Sequence, residues 1–144
     1  MNRRDLVLAT LASAEGRPFT PVQIQKAIFL LTRNVPGLID QGPGFDFVPY
    51  DYGPFDQSVY IEADFLRYEG LAVVSPAENG RWSTYAASDI GTARGKGLLE
   101  RLPTNISDYI RTIAEWTRAR SFRDLVKSIY EAYPEMKANS IFRG

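Results

Sequence analysis

The stretch that decides the fold runs from Phe45 to Gly70, FDFVPYDYGPFDQSVYIEADFLRYEG. Its first six residues alternate, Phe45, Phe47 and Pro49 on one side against Asp46, Val48 and Tyr50 on the other. That pattern predicts a short edge strand, a place where proline is tolerated. Gly53-Pro54 then turns the chain, because glycine reaches an unusual backbone angle and proline suits the first turn of a helix. The spacing predicts a helix from Pro54 to Gly70, with Asp56 complementing the positive end of its dipole. Phe55, Val59, Ala63 and Leu66 make one apolar stripe; Ile61, Phe65 and Tyr68 make a second on a different face. Two stripes predict a helix contacted from both sides.

Upstream, Arg3 to Ala14 is apolar almost all round through Leu6, Val7, Leu8 and Leu11, as a covered helix would be. Glu15-Gly16-Arg17-Pro18 ends it. Thr20, Pro21 and Gln23 stand at the N-cap, N1 and N3 spacing of a capping box, and Ile24, Ala27, Ile28 and Leu31 follow the helical period. Asn34 to Gly44, with its prolines and glycines, reads as a loop. Downstream, Leu71 to Ala77 and Arg81 to Ala87 are extended runs around Glu78-Asn79-Gly80, and Asn-Gly is a strong hairpin signal. Thr92 to Leu102 reads as a weak helix because of Gly95 and Gly97. Thr104 to Arg118 is a helix through Ile106, Tyr109, Ile110, Ile113 and Trp116. The last helix, capped by Ser121 with Asp124 at N3, carries Phe122, Leu125, Val126, Ile129, Tyr130 and Tyr133 and stops before Pro134. Helix, helix, short strand, helix and hairpin is the order of a winged-helix domain, with the third helix in the recognition position and the hairpin as wing. The expected architecture is a mainly α, α+β, winged-helix-like single domain over 1–144. Its core covers about 3–88 and a C-terminal helical extension about 92–142.

Composition narrows the chemistry. With 144 residues, 44% of them hydrophobic, the chain fits one compact domain. Seventeen basic residues balance seventeen acidic ones, so the molecule as a whole projects no field toward nucleic acid or membrane. No cysteine or histidine occurs. Disulfides, thiolate nucleophiles, Cys-ligated metals, Ser-His-Asp arrangements and the histidine pH switch are therefore excluded. No stretch approaches the roughly 18–20 apolar residues of a membrane span, and a soluble cytoplasmic protein without cofactor or metal is expected. GTARGKG, Gly91 to Gly97, lacks the spacing and terminal Ser/Thr of a phosphate loop. Glu131 and Glu135, or Glu62 and Asp64, do not form the clustered carboxylates of a two-metal site. The expectation is a protein that is not an enzyme.

Several residues resemble a known family. Ile24-Gln25-Lys26 with Phe29-Leu30-Leu31 is similar to the Leu-Gln-Lys-Leu-hydrophobic-Tyr run of the Panacea (SocA-like antitoxin) and YwgA-type proteins. Phe47, Tyr50 and Tyr52-Gly53-Pro54-Phe55 resemble their strand ending in Tyr-Gly-Pro. Leu66 to Gly70-Leu71 resembles their Leu-x-x-x-Gly-Leu helix exit. Leu125, Tyr130, Tyr133-Pro134-Glu135 and Ser140 resemble the C-terminal ending of some members. The resemblance covers roughly two thirds of the chain. It implies a winged-helix-like domain and, as in some relatives, an antitoxin that neutralises a partner protein.

The candidate residues follow. Gln25, Lys26, Gly53 and Pro54 are the family-motif positions. For Gly53 and Pro54 the structural reading is favoured; for Lys26 the expectation is a stem along the core edge with its charge in water or paired to a carboxylate. Over Pro54 to Gly70 one arginine opposes Asp56, Glu62, Asp64 and Glu69, a balance of 1 − 4 = −3. Phosphates repel such a surface. The expected function is therefore a protein-interaction module of antitoxin or regulator type. Tyr50, Asp51, Tyr52, Asp56, Gln57, Tyr60 and Asp64 are its partner-binding residues, and the partner is a toxin or a second copy of the chain. The alternative is a DNA-binding transcriptional regulator using the wing and basic residues such as Arg81, Arg94 and Lys96.

Overall fold

A computed structural model describes residues 1–76 and 80–144. Helix α1 (Arg3–Ser13) lies at the centre and is wrapped by the other elements. Seven consecutive residues, Leu6 to Ala12, are buried, so the all-round apolar pattern is answered by neighbours on every side. Asn2 and Asp5 close a capping box at its start, and Glu15 and Gly16 leave it in the left-handed region. Helix α2 (Pro21–Asn34) opens with the expected Thr20–Gln23 capping box. Between α1 and α2, Phe19 exchanges both backbone hydrogen bonds with Tyr85 (2.7 and 2.9 Å), adding one bridged residue to a sheet formed later in the chain.

The deciding stretch folds partly otherwise than its spacing predicts. Strand β1 is only Val48–Tyr50; Phe45 and Phe47 instead pack inward, Phe47 edge-on to Phe29 at 5.5 Å. Gly53-Pro54 does not start the helix. Gly53–Phe55 is strand β2, antiparallel to β1, with Tyr50 opposite Gly53 and Pro49 opposite Pro54. Helix α3 begins at Ser58 and ends at Tyr68. The boundary shifts because the Asp56 N–H is taken by the Gln25 side chain, while the Asp56 carboxylate receives the Ser58 N–H at 2.8 Å. Asp56 thus serves the helix N-terminus from outside it rather than from its first turn.

Strands β3 (Ala72–Pro76) and β4 (Ser83–Ala87) pair in register from Ala72 opposite Ala87 to Pro76 opposite Ser83. Glu78 and Asn79 of the expected turn lie outside the described residues; Gly80 has φ +68°. The segment read as a weak helix from Thr92 is a full helix, α4 (Asp89–Glu100), capped by Ser88. Its glycines explain the difference. A Cβ at Gly91 would stand 1.8 Å from the Leu71 carbonyl oxygen, and one at Gly95 2.2 Å from the Ala12 Cβ. Close approach to α1 and to Leu71, just before β3, more than offsets the poor intrinsic helix propensity of glycine. Helices α5 (Thr104–Arg118) and α6 (Phe122–Ala132) match expectation, and a 3-10 turn follows at Pro134–Lys137.

Among the described residues the fold is mainly α, with six helices and two small antiparallel two-stranded sheets. One cluster of buried side chains draws on all six helices, including Leu99, Ile110, Leu125 and Ile129. The C-terminal helices are therefore walls of the same core. The α4 contacts give a paired prediction for two glycines of one helix. Gly91→Ala should lower stability by about 2 kcal/mol or more through overpacking. Gly97→Ala, with open space around it, should raise stability by about 0.5–1 kcal/mol. Urea midpoints at unchanged m-value measure both; equal stability of Gly91→Ala and the parent would refute the close approach.

Candidate functional site

The β1–β2 hairpin is short of bonds of its own. It has three residues a side, and two of its facing residues, Pro49 and Pro54, have no N–H to give. A two-stranded hairpin of this size is marginal alone, and the rest of the chain holds it. From below, the Gln25 side chain meets the Asp56 backbone at two points: its Nε2–H donates to the Asp56 carbonyl (2.9 Å) and its Oε1 accepts from the Asp56 N–H (3.1 Å). Next to it, Lys26 Nζ donates to the Pro54 carbonyl at 3.1 Å. From the C-terminus, Asn139 Nδ2 donates to the Pro49 carbonyl, and the Ser140 hydroxyl and Ile141 N–H both donate to the Asp51 carbonyl. Tyr130 donates to Ser140 and fixes it in turn.

Lys26 corrects an expectation. Its side chain is 3% exposed, its charge reaches neither water nor a carboxylate, and burial drives its pKa down to about 7. The cause is geometric, because α2 aims it under Gly53, where it shares a small space with Tyr130. A Cβ at Gly53 would lie 3.3 Å from the Tyr130 ring and 3.6 Å from the Lys26 Cε, and Gly53 has φ +104°. Gly53 is therefore required twice, by angle and by room.

Outside the clamp lies an apolar surface. Tyr50 (52% exposed) stacks on Phe55 with ring centroids 5.0 Å apart, and Tyr52 meets Phe122 edge-on at 4.9 Å. Val48, Phe122 and Ile141 are exposed around them. Phe122 and Ile141, far away in sequence, had no local signal to mark them. Asp51 contributes its carbonyl to the clamp, and Gln57 is exposed just before α3.

The other expected partner residues sit elsewhere. Tyr60 faces inward: its hydroxyl donates to the Pro21 carbonyl (3.3 Å), its ring stacks on Tyr85, and burial raises its pKa. It is a packing residue rather than a rim anchor. The acidic face of α3 is also not what the sequence implies. Both Asp56 oxygens hold backbone N–H groups, of Asp46 and Ser58. Glu62 is turned inward beneath Arg3 and Arg4, each 3.1 Å away; Glu69 pairs with Arg4 and Asp64 with Arg67. Every carboxylate counted in that negative balance has a partner. The second apolar stripe is likewise uncovered by other elements: Ile61, Phe65 and Tyr68 are exposed, with the Arg4 guanidinium 4.3 Å over the Phe65 ring.

Of the basic residues, Lys96 pairs with Glu15 at 3.0 Å, whereas Arg94 lines a cleft beside α1. Two positions apart on α4, they point about 200° away from each other. Arg81 precedes β4. The described residues hold no group of three or more carboxylates placed for a metal ion, and no described helix is long and apolar enough to cross a membrane. Searches against family models, curated proteins and solved structures found no match for this chain.

Lys26 makes stability depend on pH in a definite sense. Below pH 7 the native and unfolded chains both carry the charge, and its burial penalty is present in full. Between pH 7 and the ordinary lysine value of 10.5, the unfolded chain holds a proton the native one has released, so stability rises with pH. The rise should be about 2–3 kcal/mol between pH 7 and 9. Past pH 10, Tyr60 and Tyr85, whose phenols burial pushes up, act in the opposite sense. Chemical denaturation at pH 7, 8 and 9 measures the slope, and Lys26→Met should flatten it; an equal slope in that variant would exclude Lys26 as its source.

Proposed function

We propose that this chain is a non-catalytic, winged-helix-like interaction module of antitoxin or regulator type. It acts in the cytoplasm and neutralises or regulates a partner protein, a toxin or a second copy of itself, through the clamped hairpin. The observation that carries this reading is an exposed apolar cluster in which Val48, Tyr50 and Tyr52 stand on backbone held by six hydrogen bonds from distant parts of the chain, with Phe122 and Ile141 beside them. Rigid aromatic side chains on a fixed backbone lose little freedom on binding and make good anchors. The resemblance of Gln25-Lys26, Tyr52-Gly53-Pro54 and the C-terminal Tyr130 and Ser140 to the Panacea and YwgA-type proteins points the same way. The residues that carry it are those that build the clamp.

The winged-helix reading is supported by element order: α1, the bridged Phe19, α2, α3, then β3 and β4. DNA binding is the alternative, and the neutralised carboxylates of α3 remove the repulsion that counted against it. What counts against it instead is the outer face of α3. That face offers Ile61, Phe65 and Tyr68, and its one cation, Arg67, is already bonded to Asp64. Groove readers need polar and cationic side chains there.

The test starts from affinity capture to identify the partner, followed by binding measurements with the purified pair. Tyr52→Ala and Phe122→Ala should each weaken binding by about 2 kcal/mol, with thermal unfolding little changed, and Asp64→Arg should leave it intact. Undiminished binding by both aromatic variants would reject this surface. Salt-dependent retention on random-sequence DNA would favour the regulator of transcription instead.

A further inference from the structure

Helix α3 turns Val59, Ala63 and Leu66 into the core, and a second apolar row runs along its opposite face. Ile61, Phe65 and Tyr68 stand there at i, i+4 and i+7, the alternating spacing of four and three that keeps a row in line along a helix. They are 44%, 50% and 87% exposed, so the row is open along its whole length. Scattered exposed apolar residues are ordinary on a protein surface, whereas a continuous row marks an interaction surface.

Charge along the edges of the row indicates what covers it. Asp64 and Arg67 lie along one edge, and both are exposed. Arg67 Nε and Nη2 donate to the same oxygen, Asp64 Oδ1, at 3.0 and 2.8 Å, and Asp64 Oδ2 accepts no hydrogen bond among the described residues. Along the other edge the Arg4 guanidinium lies 4.3 Å over the Phe65 ring and bonds Glu62 and Glu69. Each edge carries both signs, so neither selects a basic or an acidic partner. An edge that changes sign along its length is complementary to its own copy reversed by a two-fold axis, where residue i meets j and j meets i.

We propose that α3 pairs antiparallel with α3 of a second copy of this chain, across a two-fold axis beside Phe65. The axis brings the two Phe65 rings together and lays Ile61 of each copy against Tyr68 of the other. The same edge of both helices meets in opposite directions, so Arg67 of each copy reaches Asp64 Oδ2 of the other. This surface is separate from the clamped hairpin, none of whose exposed apolar residues lies on α3, and it stands or falls independently of the function proposed above.

A single helix pair lies at the small end of interface sizes, so the expected dimer has a dissociation constant of about 10–100 µM. Sedimentation equilibrium of the full chain from about 5 to 500 µM spans that range. Ile61→Ser/Tyr68→Ser should stay monomeric throughout, with an unchanged circular dichroism spectrum. Asp64→Arg should weaken association at least about tenfold by setting like charges together. Asp64→Arg/Arg67→Asp should recover it, because the exchanged pair meets across the axis in the same way. Tyr52→Ala, in the hairpin surface, should associate like the parent. A parent chain monomeric at every concentration, undiminished association of Ile61→Ser/Tyr68→Ser, or no recovery in the exchanged pair would each overturn the proposal. Loss of association in Tyr52→Ala would overturn it as well, by moving self-recognition to the hairpin.

Discussion

The Lys26–Pro54 hydrogen bond is the constraint on which the rest of the hairpin region depends. A helix delivers an ammonium group into the interior and satisfies it on a carbonyl that an ordinary hairpin would leave for a neighbouring strand. The arrangement works only because a proline-paired ladder leaves that carbonyl available and because Gly53 leaves room for the Lys26 stem. Gln25 supplies the second hold by presenting its amide as one more backbone unit to Asp56. Sequence neighbours on α2 thus fix backbone about thirty residues away. The fixed Asp56 then sets where α3 begins.

Charge where α1 meets α3 is compensated locally rather than left on display. Glu62 sits beneath two arginines of α1, and one of them continues across Phe65 to Glu69. Breaking that network would leave a buried carboxylate unpaired, a large penalty, so it ties α3 to the start of α1 as firmly as apolar contact does. A charge count along a single helix cannot reveal this. The sign of a segment matters for recognition only after its partners from other helices are counted.

How much of this is legible in the chain follows from the range of the forces involved. Helix termini set by adjacent residues, such as the Thr20–Gln23 box and the Ser121 cap, are read correctly because their hydrogen bonds close within one turn. The Pro54 boundary is misread because the same Gly-Pro pair serves a helix start or a tight hairpin, and the choice is made by Gln25 and Lys26 from another helix. Glycines in α4 lower local propensity, yet they are the reason α4 can approach α1. The residues of the surface split in the same way. Tyr50 and Tyr52 are legible as exposed aromatics beside the Gly53-Pro54 turn, whereas Phe122 and Ile141 join them only through the docking of the C-terminal segment on Asp51. Tyr60 carries the same local signal as Tyr52 but finds Pro21 and Tyr85 to pack against.

That docking also draws together residues from far apart in the chain. Gln25-Lys26, Gly53-Pro54, Tyr130 and Ser140 are scattered in sequence but meet around one turn, and each contributes a group that another requires. Tyr130 limits the space over Gly53, Ser140 binds both Tyr130 and the Asp51 carbonyl, and Lys26 fills what remains. What the set produces is a turn held in one shape, and the exposed side chains on its outer surface take their positions from it.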